Sequence, residues 1–153
     1  MTIRIKGIWH ERTEDAPFIG ALISSVDCNY NCKNCFNQHI KDCPTIITTT
    51  DKILDEVQGN PFNTGIILAG LEWTLQPSEL EDLIIKSIER NLSVILYTGM
   101  NETDFKATFP IIYNQPIYFK FGRYDEHLST DNYVSCGVRL ASSNQYIVKK
   151  ESR

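Results

Sequence analysis

Three cysteines lie within eight residues, in the stretch C-N-Y-N-C-K-N-C. Cys28, Cys32 and Cys35 are spaced C-x3-C-x2-C, and a loop of that length can turn all three thiols toward one small object. Thiolates are soft ligands that select iron–sulfur clusters, zinc or copper(I). A closed structural zinc takes four ligands, and a [4Fe–4S] cube ordinarily takes one thiolate per iron. Three thiols with no obvious fourth leave a corner open, and an open metal position is where a reactant binds. Two closed arrangements use the same residues: a structural zinc knuckle, or a site completed by Cys43, which precedes Pro44.

The elements around this stretch have to position it. Residues 18–26, F-I-G-A-L-I-S-S-V, are apolar and rich in strand formers, and predict a buried strand feeding directly into the Cys loop. Residues 2–9 alternate loosely and read as a short strand or extended lead-in. After T-I-I-T-T-T, the residues Ile53, Leu54 and Val57 share a helical face, with Thr49 or Thr50 as its cap and Gly59 as a left-handed stop. Residues 65–70, G-I-I-L-A-G, predict a second buried strand. The clearest helix spans 77–90, with Pro77 at its first position and Leu80, Leu83, Ile84 and Ile88 as its stripe. Strands are expected at 92–99, 116–122 and 145–149, a short helix at 103–108, and a polar loop at 123–143.

Strands alternating with helices indicate an α/β fold with a mainly parallel sheet. Right-handed crossovers then collect the strand carboxyl ends along one edge, where ligand sites of such folds lie. Three of the strands finish in Gly70, Gly99 and Gly122, and residues without a side chain let a ligand approach the backbone closely. The thiols and the ligand cleft are therefore expected on one edge. No repeat, low-complexity tract or linker divides the chain, so one domain over residues 1–153 is expected.

Bulk properties exclude several classes. A net charge of −4 gives no electrostatic case for nucleic acid. No apolar run approaches the ~20 residues of a membrane span, and the start, M-T-I-R-I-K-G-I-W-H-E-R, lacks the apolar core of a signal peptide. Five cysteines, an odd number with three crowded together, do not form a secreted disulfide framework; a reducing cytoplasmic location is expected.

Cys28-x3-Cys32-x2-Cys35 resembles the signature of the radical S-adenosylmethionine superfamily. The resemblance implies that these three Cys hold a [4Fe–4S] cluster, that S-adenosylmethionine binds the open iron, and that one electron cleaves it to a 5′-deoxyadenosyl radical. The segment I-L-A-G-L-E-W resembles the family's Gly-Gly-Glu segment, with Leu71 standing where one glycine is usual. That match implies that Gly70, Leu71 and Glu72 receive the methionine ammonium; the other reading is a helix-entry loop with a solvated Glu. Y-T-G at Tyr97–Gly99 is similar to a segment near the cofactor ribose and brings in Thr98. F-K-F-G implies Lys120 facing the cofactor carboxylate, against a solvated strand face. Asn34 stands where many members carry an aromatic residue beside the adenine, Phe36 falling after Cys35, and Asn37 is also expected near the cluster.

A-S-S-N-Q-Y-I-V, Ala141 to Val148, is similar to a G-S-S-N-Q-R-x segment of anaerobic ribonucleotide reductase activating proteins. The resemblance then implies a partial (β/α) barrel and a glycyl-radical activase. Its partners would be a large glycyl-radical enzyme, the anaerobic ribonucleotide reductase, and a flavodoxin or ferredoxin as electron donor. The loop at 123–143, with Tyr124, Asp125 and Glu126, is the candidate contact for the large partner. Two rivals stand beside this reading: the same chemistry on another protein, peptide or small molecule, and a non-catalytic iron–sulfur module.

Overall fold

The structure, a computed structural model, describes residues 1–29, 38–130 and 133–150. Cys32, Asn34, Cys35, Phe36 and Asn37 lie outside the described residues. In chain order the strands and helices are β1 (Thr2–Ile5), β2 (Gly7–Arg12), β3 (Gly20–Ser24), β4 (Ile46–Thr49), α1 (Thr50–Gly59), β5 (Gly65–Ala69), α2 (Pro77–Glu89) and β6 (Ser93–Tyr97). There follow α3 (Glu102–Thr108), α4 (Pro110–Tyr113), β7 (Tyr118–Phe121), β8 (Val134–Ser135), β9 (Val138–Arg139) and β10 (Tyr146–Lys149).

Six strands form one sheet in the order β10-β7-β6-β5-β3-β2. The four inner strands, β3, β5, β6 and β7, pair in parallel, while β2 and β10 close the two edges antiparallel. Side chains alternate across a strand, so each inner strand feeds two cores. Ile66, Leu68, Val94, Leu96, Phe119 and Phe121 pack with residues of α1, α2, α3 and α4 in the larger cluster. Ile67, Ala69 and Ile95 face a smaller one, covered by Ala16, Val138, Leu140 and Ile147. Burial on both faces explains why β5 reads as an unbroken apolar run rather than an alternation.

The helices follow their local signals. Thr49 caps α1, its side chain accepting from Lys52 N, and Ile53, Leu54 and Val57 are buried. In α2, Pro77 takes the first position, and Leu80, Leu83 and Ile84 are buried, with Ile88 packed partly buried beside them. Gly59 does not make the left-handed stop expected of it: it is the last residue of α1, and Asn60 after it is extended at φ −103°. The Asn60 carboxamide oxygen accepts from Phe62 N at 3.1 Å, so an Asx turn redirects the chain without a glycine.

Two elements differ from expectation. T-I-I-T-T-T contains β4, which pairs antiparallel with β1 outside the main sheet. Residues 123–143 are not a plain loop: Glu126–Leu128 make a 3-10 turn, and β8 and β9 form a hairpin. Its turn residues, Cys136 and Gly137, have φ of 49° and 79°, the pair of positive values that a two-residue hairpin favours.

Candidate functional site

β3, β5, β6 and β7 deliver four segments to the same carboxyl edge. After β3 come Ser25, Val26, Asp27 and Cys28, the first thiol of the motif. This exit is pinned twice. Val26 N donates to Gln76 Oε1 at 2.9 Å, and the same carboxamide donates to Arg4 O at 2.9 Å. Asp27 O accepts from Glu72 N at 2.8 Å. The Asp27 carboxylate accepts from Cys28 N at 2.8 Å, and Cys28 itself is half-buried. The chain therefore enters the Cys loop from a fixed point rather than a free end.

β5 ends in Gly70, which turns at φ +85°. A Cβ there would lie 2.1 Å from Ser24 Oγ, so the end of β5 presses against the end of β3 as only glycine permits. Leu71, which stands where the resemblance has a glycine, is buried and is not among the residues of positive φ. The left-handed turn falls on Gly70 alone, and the position beyond it accepts a side chain.

Glu72 is neither solvated nor idle. It is 3% exposed. Its Oε2 accepts from Thr74 N (3.2 Å), Thr74 Oγ1 (2.8 Å) and Thr98 Oγ1 (3.0 Å), and its Oε1 accepts from Gly99 N (2.7 Å). One carboxylate thus caps the 3-10 turn Trp73–Leu75 and ties the exits of β5 and β6 together. Thr98 is buried as well, its Oγ1 also accepting from Met100 N at 3.1 Å.

Lys120 is not on a solvated face. It is 7% exposed, donates to Gly122 O at 3.0 Å, and places Nζ 5.0 Å from the centroid of the Tyr97 ring. Burial first, then the Asp15 charge, pushes the Tyr97 phenol above its ordinary pKa, with Arg12 acting in the opposite direction. Gly122, at φ +99°, also receives Gln145 Nε2 on its carbonyl at 3.2 Å. Asn144 Nδ2 donates to Arg123 O at 2.9 Å, and Gln145 Oε1 accepts from Ser142 N at 3.2 Å. The S-S-N-Q segment is therefore built into the β7 exit rather than a bare turn. A cleft of about 400 Å³ opens here, lined by Gly99, Asn101, Gly122, Arg123, Asn144 and Tyr146 among others.

Residues 21–148 match the family model of the 4Fe-4S single cluster domain. The chain belongs to that family. As a 4Fe-4S single cluster domain, it is an iron–sulfur protein, and the match runs from β3 through β10. Curated proteins give no match. No described helix is long and apolar enough to cross a membrane.

The residues of this 4Fe-4S domain suit such a group. Thiolates are its usual ligands, and Cys28, Cys32 and Cys35 can supply three from one loop. Ser25 Oγ, buried three residues before Cys28, has no hydrogen-bond partner among the described residues. A buried hydroxyl left over beside the loop is what a bound group completes. Sequence reasoning missed Gln76 and Lys6, which hold the two ends of the loop. A single polar side chain before Pro77, or at a strand end, carries no periodic signal.

Proposed function

We propose that this 4Fe-4S domain reductively cleaves S-adenosylmethionine and generates a glycyl radical on a large partner, an anaerobic ribonucleotide reductase. The observation that carries the reading is the hydrogen bond from Glu72 N to Asp27 O at 2.8 Å. It joins the start of the Cys loop to the Gly-Leu-Glu segment, the two motifs that resemble radical S-adenosylmethionine enzymes. The fold proposed with it is a partial (β/α) barrel of that type, its inner strands being β3, β5, β6 and β7.

Cys28, Cys32 and Cys35 would hold the cluster, leaving an iron without a protein ligand. When bound, the cluster would supply the single electron that breaks a carbon–sulfur bond of S-adenosylmethionine, releasing methionine and a deoxyadenosyl radical that would take a hydrogen atom from a glycine Cα. Glu72 offers the methionine ammonium its Oε1, which carries one hydrogen bond, whereas Oε2 carries three. Because four donors already orient the carboxylate, it is aimed before the cofactor arrives. The backbone of Gly70 and Leu71 is assigned to the same ammonium. Lys120, held over Tyr97, contributes positive charge to the same edge for the cofactor carboxylate. Asn34 is assigned to the adenine side. A flavodoxin or ferredoxin supplies the electron. The segment 123–143 faces the partner, its Asp125 fixing a 3-10 turn by accepting from His127 N at 2.9 Å.

The test is anaerobic incubation of cluster-loaded protein with dithionite and S-adenosylmethionine. The expected products are 5′-deoxyadenosine, and a glycyl-radical resonance only when the reductase is present. Cluster-loaded protein that leaves S-adenosylmethionine intact overturns the reading in favour of an iron–sulfur module.

A further inference from the structure

Lys6 lies between β1 and β2, and it touches both ends of the Cys loop. Its backbone N–H donates to Ser24 O at 2.9 Å, at the end of β3. Its ammonium donates to Cys43 O at 2.6 Å and to Lys41 O at 3.3 Å, where the chain leaves the loop. Lys41 reaches back across, its Nζ 3.4 Å from Cys28 O. The exit is itself turned inward, Cys43 N donating to Ile40 O at 3.0 Å. Two cations therefore close the base of the segment that carries the thiols, and both act on carbonyl oxygens.

Closing a loop needs hydrogen bonds but not charge, and a neutral donor would satisfy the same carbonyls. Charge has a second consequence beside a cluster. A [4Fe–4S] core on three thiolates is anionic, and it gains a further negative charge when one electron enters without a proton. A nearby cation stabilises the more negative state, and the effect is stronger in a partly buried loop than in water.

We propose that Lys6 and Lys41 form a cationic staple that positions the Cys loop and raises the reduction potential of its cluster. The proposal rests on the reading that the motif thiolates hold the cluster. Lys6 is the stronger member because its ammonium is part-buried, whereas Lys41 is exposed and screened by solvent. Both act through the loop and the field, not on a substrate, so they are positioning residues.

The experiment is an EPR-monitored redox titration of the anaerobically reconstituted full chain. Lys6→Met is expected to lower the equilibrium constant for one-electron reduction about tenfold, a shift of about 59 mV to more negative potential. Lys6→Arg is expected to restore the parental value, because it keeps the charge, and Lys41→Met to move a smaller distance in the same direction. A Lys6→Met protein with a full cluster at the parental potential overturns the proposal. So does a Lys6→Arg protein shifted as far as Lys6→Met, since charge is then not the agent. Where Lys6→Met takes up no cluster, Lys41→Met decides: a negative shift supports the staple, and an unchanged potential overturns it. A parent protein that takes up no cluster overturns the ligand reading as well.

Discussion

Glu72 accepts two backbone N–H groups on opposite oxygens, Thr74 N on Oε2 and Gly99 N on Oε1. A carboxylate can serve both, while a carboxamide has one oxygen and must present a donor to the other. The threonine hydroxyls can rotate to suit either group; the two N–H groups cannot. Glu72→Gln is therefore expected to leave one buried donor unmatched and to lower stability by about 1–3 kcal/mol. Urea unfolding of the cluster-free protein reads this directly. Binding of S-adenosylmethionine to the loaded protein should weaken in the same variant, because the proposed function makes the Glu72 carboxylate the charged acceptor of the ammonium. Loss of binding without loss of stability would place the Glu72 carboxylate outside the strand-end lock described above.

At the scale of elements, Tyr97 anchors the exit of β6 to the segment preceding β3, its hydroxyl donating to Asp15 O at 2.5 Å. Its pKa is raised in the folded protein, chiefly by burial and then by the Asp15 charge. The unfolded phenol ionises first as pH rises past about 10, while the folded one stays neutral. The stability it contributes is thus fully present below that value and is lost as pH climbs through the folded pKa. Tyr113, held by a hydrogen bond to Glu102, and Tyr146, through burial and then Glu102, act in the same direction. Denaturation between pH 9 and 12 should show stability falling with pH, and Tyr97→Phe should flatten the slope without abolishing it. An unchanged slope in Tyr97→Phe would contradict the assignment.

Elements buried on two faces or carrying end signals were readable from the residues. G-I-I-L-A buries five consecutive residues, and α2 announces itself through Pro77 and its Leu80, Leu83 and Ile84 stripe. β4 was not readable, because Ile46 and Ile47 are both exposed and its pairing is only with β1. Within the site, Glu72 was visible as a residue type at a strand end, but its bond to Gly99, 27 residues away, has no local signature. The part of Lys6 was hidden for the same reason: its partners Lys41 and Cys43 become neighbours only once the loop returns to the sheet. Cys32, Asn34 and Cys35 lie outside the described residues, so their spacing alone speaks for them.

Across the whole molecule, four parallel strands bring the Cys28 segment, the Gly70–Glu72 turn, Thr98–Gly99 and Lys120–Gly122 to one edge. Distant parts of the chain become a single site through Asp27, Glu72 and Gly99. The proposed function requires this edge to hold a [4Fe–4S] cluster with one iron left for S-adenosylmethionine. The most direct measurement is the EPR spectrum of the reduced cluster before and after S-adenosylmethionine is added, in the parent and in Cys43→Ala. The spectrum is expected to change on addition in both, since the proposed function leaves S-adenosylmethionine an iron that Cys43 does not occupy. A spectrum indifferent to S-adenosylmethionine in the parent, or a cluster that Cys43→Ala abolishes, would contradict it.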